Sequence, residues 1–313
     1  MRRHSRRGFT AFLLTLLGSP WRTGSRATAG EPASPQRPDA GEKTAPTRTE
    51  LRHYRADAAI LLLGITIFRR SGVGGGQVSV EETTNGASTT RTLFFAAGSD
   101  PARAHGLNRL GWIREVVREA NSIPLDIRYF GVLTASPEES LEHARKSIST
   151  PASSRSTYSA VSGHNTPGDS RSAIAHFEMA ADTQWSDRRL IDVAQASFRE
   201  KVEWRETSWP HAVNQTPPTF LFELATLLGQ RTRHAAGRYV YNEQEYLLEL
   251  DTPEPGKPED RLLPVHGKIS NRRTGGQTIF TIWMEHSSGS TIPMRIEYQP
   301  RAFLRLIFEG GAA

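Results

Sequence analysis

Apolar positions along this chain fall into short runs with two kinds of spacing. "QVSVEETT", Gln77 to Thr84, sets Val78 and Val80 against polar neighbours, the two-residue period of a half-buried strand. Asn85-Gly86 follows, a dipeptide suited to a tight hairpin because both residues tolerate positive φ. "TTRTLFFAA", Thr89 to Ala97, reads as the returning strand. "IPLDIRYFGVLTA" and "AIAHFEMAADTQW" also read as strands. The segment from Leu110 to Ala120 fits both periods: Leu110, Ile113, Val117 and Ala120 suit a helix, while Trp112, Val116 and Val117 suit a strand. Ile60 to Phe68, broken by Gly64, is either a kinked buried strand or two short ones.

Three segments carry stronger helical signals. In "SPEESLEHARKSI", Ser136 caps, Pro137 takes the first turn and Glu139 completes a capping box. "SDRRLIDVAQASFRE" is expected to be a helix capped by Ser186, with Leu190, Val193, Ala194 and Ser197-Phe198 lining one face. "TPPTFLFELATLLG", Thr216 to Gly229, is an apolar helix opened by Pro217 and closed by Gly229, with Phe220, Leu224, Leu227 and Leu228 on its buried face. A shorter helix is expected after Ser99 or Asp100, with Pro101 in its first position. The last third holds five strand-like runs: "GRYVYNEQEYLLELDT", "LLPVHGKISNR", "QTIFTIWMEH", "TIPMRIEYQ" and "RAFLRLIFE". Their short connections fit an antiparallel meander, since parallel pairing needs long crossovers. Met294, Ile296 and Tyr298 alternate with Arg295, Glu297 and Gln299, as one wet sheet face requires. The expected class is α+β: mainly a curved antiparallel sheet or half-open barrel with a few short helices.

Four glycines within Gly72 to Gly76, beside Arg69 and Arg70, raise the question of a phosphate loop. Such a loop joins a strand to a helix, whose N-terminal amides hold the anion. Here a strand pattern follows, Gln77 stands where a dinucleotide fingerprint wants its last glycine, and no Gly-Lys-Ser/Thr follows. The glycines are therefore read as a flexible strand connection.

Composition divides the chain. Of 39 basic residues, Arg2, Arg3, Arg6, Arg7, Arg22 and Arg26 lie in the first 29 residues, where no acid occurs. The remainder holds 33 basic against 33 acidic residues, so the net charge of +6 belongs to the N-terminus. A neutral body lacks the electrostatic footprint of a nucleic-acid binder. Residues 1–29 read basic, then apolar over Gly8 to Gly18, then small at Ala27 to Ala29: the order of a signal peptide. The apolar run is too short for a transmembrane helix. "SRRGF", Ser5 to Phe9, resembles the twin-arginine export signal, with Thr10 where leucine is common. An arginine-rich general secretory signal is the alternative. Residues 30–50, rich in Pro, Ala, Thr and charge, read as a disordered linker. The folded body is expected over residues 51–146 and 173–313, split by a disordered Ser-rich insertion at residues 147–172. One domain or two is left open.

The chain has no cysteine, which removes disulfides, thiol catalysis and cysteine-held metals. His176 and Glu178 share one strand face and are the start of a metal site at best, since no third ligand is indicated. His211, His234, His266 and His286 are scattered, and no Gly-x-Ser-x-Gly elbow is present. Glu81-Glu82 and Glu138-Glu139 fall at a strand end and a helix start, where structure accounts for them. No catalytic, cofactor or metal residue is therefore assigned. Trp185, Trp204, Trp209 and Trp283 are the candidates for an apolar ligand site, with Trp204 to Pro210 as its rim.

The final hundred residues carry a resemblance. A strand ending at Ile282-Trp283, a small polar turn from Ser287 to Ser290, and Pro293-Met294-Arg295-Ile296-Glu297 resemble the C-terminal meander of exported bacterial proteins known only as domains of unknown function. Residues Pro218 to Leu228 match the short apolar helix preceding it. That resemblance implies an envelope protein built on a curved sheet, like the half-open barrels that hold lipids or lipoprotein tails. It transfers no catalytic residue. The expected function is that of a periplasmic or secreted, non-enzymatic protein that binds an apolar ligand, such as a lipid, or an envelope partner. The alternative is an exported hydrolase whose site no motif reveals.

Overall fold

The computed structural model describes residues 47–62, 65–104, 108–134, 155–198, 203–208, 214–241, 244–253, 261–285, 290–301 and 304–311. Among these residues, fourteen strands form one sheet in which every pairing is antiparallel. The first eight are β1 (Thr47–Leu62), β2 (Ile65–Asn85), β3 (Ser88–Ser99), β4 (Leu110–Ala120), β5 (Ile123–Thr134), β6 (Arg155–Thr166), β7 (Asp169–Ala180) and β8 (Glu203–Ser208). The last six are β9 (His234–Tyr241), β10 (Gln244–Asp251), β11 (Leu262–Asn271), β12 (Gln277–Glu285), β13 (Arg295–Arg301) and β14 (Leu304–Gly310). Among the described residues two helices interrupt the strands, α1 (Arg188–Ser197) before β8 and α2 (Phe220–Gln230) after it.

Strands pair with their sequence neighbours at all but one step. β1 pairs with β14, Tyr54 opposite Gly310 and Ile60 opposite Leu304. β8 and β9, consecutive in sequence, are instead the two edges of the sheet. These ends curl toward each other. Tyr129 of β5 and Tyr241 of β9 lie far apart in strand order, yet their rings are 5.0 Å apart. Val161 of β6 shares a buried cluster with Leu248 of β10, Ile269 of β11 and Ile282 of β12. The sheet is therefore a nearly closed barrel, and its inner face supplies the main core.

The segment before α2 stitches the gap between the edges. Gly168 donates its N–H to Gln215 O at 2.9 Å, and Val240 donates to Pro218 O at 2.9 Å. Asn165 Nδ2 donates to Pro217 O at 2.8 Å, and Thr216 Oγ1 donates to Pro124 O at 2.8 Å. Helix α2 then runs inside the barrel. Phe220 and Leu227 join the main core, while Phe222 packs with Leu93, Val117 and Ile127. Helix α1 covers the outside, where Leu190 and Ala194 pack on Leu110, Val132, Tyr158, Ala160 and Met179. β4 thus turns Ile113 and Val117 to the inner core and Leu110 and Trp112 outward under α1, which is why its sequence fits two periods.

Several expectations change. The protein is mainly β rather than balanced α+β; the antiparallel, curved, nearly closed sheet stands. Residues 155–172 are strand β6 and the start of β7, not a disordered insertion. Their small residues are a packing requirement, not a sign of disorder: a Cβ on Gly163 would lie 2.0 Å from the Tyr129 ring, and Ala160 is fully buried under α1. Gly72 to Gly76 lie within β2 and do not connect two strands. Gly72 takes φ +66°, and a Cβ on Gly74 would meet Gly98 O at 2.0 Å, so the run permits a bend and a close backbone approach. Strand β1 begins at Thr47, inside the expected linker. Residues 101–104 form a turn, with Arg103 and Ala104 N–H bonded to Asp100 O, rather than a helix.

The run "GRYVYNEQEYLLELDT" is a hairpin of two strands, so the terminal meander has six strands. Asp187, not Ser186, caps α1, its carboxylate accepting from Arg189 N at 3.0 Å. α2 begins at Phe220 and ends at Gln230, later than expected at both ends. Instead of a buried run, Leu62, Ile65, Ile67 and Phe68 are exposed at the β1–β2 end, where Ala58/Arg70 to Leu62/Ile65 are paired. The N-terminal 29 residues, the helix expected from Ser136 and Trp209 lie outside the described residues.

Candidate functional site

Helix α2 divides the barrel interior unequally. One side, through Leu221, Leu224, Leu227 and Leu228, packs against β9–β12 and the facing strands. The opposite stripe reads Phe222, Ala225, Thr226 and Gly229, the i, i+3, i+4, i+7 spacing of a single helix face. Three of those four are small. A Cβ on Gly229 would meet nothing within 4 Å. Between this stripe and the wall made by β1–β4 lies a cavity of about 860 Å³. That falls within the usual ~300–1,000 Å³ of small-molecule sites.

Its apolar lining comes from Val80 of β2, Leu93 of β3, Phe222 and Ala225. Its polar lining comes from inward positions of the strands' far ends. Arg48 and Glu50 stand on β1, Glu82 on β2, Arg91 on β3 and Glu119 on β4. Arg48 Nη2 is 2.5 Å from Glu50 Oε1, and Ser290 Oγ donates to Glu50 Oε2 at 2.8 Å. Arg91 serves two acids: Nε lies 3.2 Å from Glu82 and Nη2 lies 3.4 Å from Glu119. Glu223 enters from the helix and sits over Gly237, where a Cβ would lie 1.5 Å from Glu223 Oε1. Its carboxylate receives no hydrogen bond from any described residue, and burial pushes its pKa up to about 7.

A second buried acid fixes the helix. Glu115 of β4 is fully buried behind the N-terminus of α2. Its carboxyl accepts from Thr219 Oγ1 at 2.5 Å, Leu221 N at 3.0 Å and Phe222 N at 2.8 Å. The Leu221 and Phe222 donors are first-turn N–H groups with no partner inside the helix, the Thr219 hydroxyl adds a third bond from the residue before it, and a carboxylate there also complements the positive end of the helix dipole. Burial raises the Glu115 pKa to about 7, and the three donors act against that rise. So α2 is held at a definite depth by a side chain from the wall.

Of the tryptophans singled out by sequence, Trp185 and Trp283 do not line this cavity. Trp185 packs in the outer cluster with α1. Trp283 stands on β12 with the Arg295 guanidinium 4.9 Å from its ring. Trp204 is placed only as a backbone position in β8, opposite Ala173. His176 Nδ1 pairs with Ser159 Oγ at 2.8 Å, while Glu178 lies 3.8 Å from Arg155. Among the described residues no three or more His, Asp or Glu side chains converge as metal ligands. No helix among them is long and apolar enough to cross a membrane.

The cavity residues were missed for a reason visible in hindsight. Glu115 lies between Ile113 and Val117 on an apolar stripe, an acid where the strand period wants a hydrophobe. That signal was available. The convergence of Glu82, Arg91 and Glu119 was not, because it depends on the register of β2, β3 and β4.

No protein-family model matches the chain, and no curated protein matches it. Among solved structures, it is similar to a beta-barrel-like protein of a domain of unknown function, DUF1849, from Brucella abortus. That similarity has 8% sequence identity and a TM-score of 0.45, over 86% of this chain and 98% of the other.

Proposed function

We propose that this is an exported, non-enzymatic protein of the bacterial envelope that binds a ligand with an apolar part between α2 and β1–β4. The observation that carries the reading is the small-residue face of α2 turned toward a cavity of about 860 Å³ inside the barrel. A helix laid in a barrel for packing alone fills its surroundings. Here one face is packed with leucines and the other is left open by Ala225, Thr226 and Gly229. Export is supported by the basic, apolar and small order of residues 1–29, with "SRRGF" as its twin-arginine feature.

Native mass spectrometry of the chain recovered from a bacterial host tests both parts. The expected species begins after Ala29 and carries a small molecule that is missing from a Gly229→Trp variant. Recovery of the uncut chain from the cytosol overturns the export reading. The same bound molecule on wild type and Gly229→Trp places the ligand elsewhere and overturns the cavity reading.

A further inference from the structure

The cavity's charges are unbalanced, and the imbalance selects a class of ligand. Among the described residues four carboxylates line it, Glu50, Glu82, Glu119 and Glu223, against the two guanidinium groups of Arg48 and Arg91. Glu50 is held by Arg48 and Ser290. Glu82 and Glu119 divide one guanidinium between them. Glu223 has none: it is half-buried beside Phe222 and Ala225 with its carboxylate unmatched among the described residues. Burying a charge without a partner is costly, and a charge-assisted hydrogen bond recovers much of that cost. An anionic head entering here would meet four acids, so fatty acids and phosphate-headed lipids are disfavoured. A cationic N–H donor would supply what Glu223 lacks. The adjoining Val80, Leu93, Phe222 and Ala225 offer apolar surface to the rest of such a molecule.

We propose that the cavity takes a cationic amphiphile, a primary amine or guanidinium head bound by Glu223 with its hydrocarbon part along Leu93 and Phe222. This inference rests on the cavity reading above and narrows it. Isothermal titration of the processed protein at pH 8 with decylamine, decanol and decanoate separates the two. Decylamine is expected to bind at least about tenfold tighter than decanol, the gain of one charge-assisted contact, and decanoate weakest of the three. Glu223→Gln removes the amine preference and keeps decanol binding, which also reports an intact cavity. If Glu223→Gln does not fold, the wild-type order of affinities decides. Equal binding of the three probes, or an amine preference that survives Glu223→Gln, overturns the inference and leaves the cavity reading standing. No binding of any probe to wild type, or undiminished binding to Gly229→Trp, overturns both.

Discussion

Glu115 is the residue on which the interior arrangement turns. It is fully buried, and its three donors all come from the start of α2. Glu115→Ala leaves those donors unmatched in the core and should lower stability by roughly 2–4 kcal/mol, read from urea denaturation. Gly163 is constrained in a different way, by the Tyr129 ring that occupies the place of its missing side chain. Gly163→Ala should cost about 1–3 kcal/mol through overpacking, measurable by thermal unfolding. The acids also set a pH dependence. Glu115 and Glu223 have folded pKa values of about 7, above the ordinary 4.5. The folded state therefore binds more protons between those values, and their contribution is full below the unfolded value and lost as pH rises through the folded one. Asp57 and Asp187 are held below the usual carboxylate value, so their contribution falls away only in acid beneath that window. The melting temperature should fall as pH rises from 5 to 7, and Glu223→Gln should flatten the slope. A melting temperature that rises across that interval would show these acids to be solvated.

Elements were legible where burial is one-sided. β2 and β3 were legible as a hairpin from the Asn85-Gly86 turn, and β13 as a strand from the alternation in "MRIEYQ". Legibility failed where context decides. β6 carries small residues at Ala160 and Gly163 because α1 and Tyr129 press on it from opposite sides, a fact that no local pattern contains. The same limit applies to α2. Its sequence marked Phe220, Leu224, Leu227 and Leu228 as the packed face, and they do join the core, but it could not say that the opposite face looks onto a cavity. Gly229 sits on that open face, in helical backbone and with room for a side chain. Gly229→Ala should stabilise the protein by about 0.5–1 kcal/mol, since alanine is the better helix former. A loss of stability from that change would mean the space beside Gly229 is already filled.

Across the whole molecule, the strand order brings the first and last strands together and leaves the sheet open between β8 and β9. β1 and β14 lie deep in the sheet, each paired on both sides, whereas β8 and β9 are edges bridged by loop contacts and α2. Hydrogen exchange should therefore be slowest in the inner-facing stretches of β3–β6 and β10–β12 and fastest in β8, which has six residues and one neighbour. The sequence made the meander legible at its C-terminal end, because short connections there permit little else. It could not reveal that β1 completes the meander, a pairing across more than two hundred residues. Nor could it place the cavity, whose walls come from β1–β4, α2 and Thr291. The most direct test is binding of the fluorescent probe N-phenyl-1-naphthylamine to purified wild type and to Gly229→Trp. A binding protein built this way gives a single saturable site in the wild type, lost in the variant while circular dichroism and the melting temperature hold. Saturation of both proteins with the same affinity would contradict it.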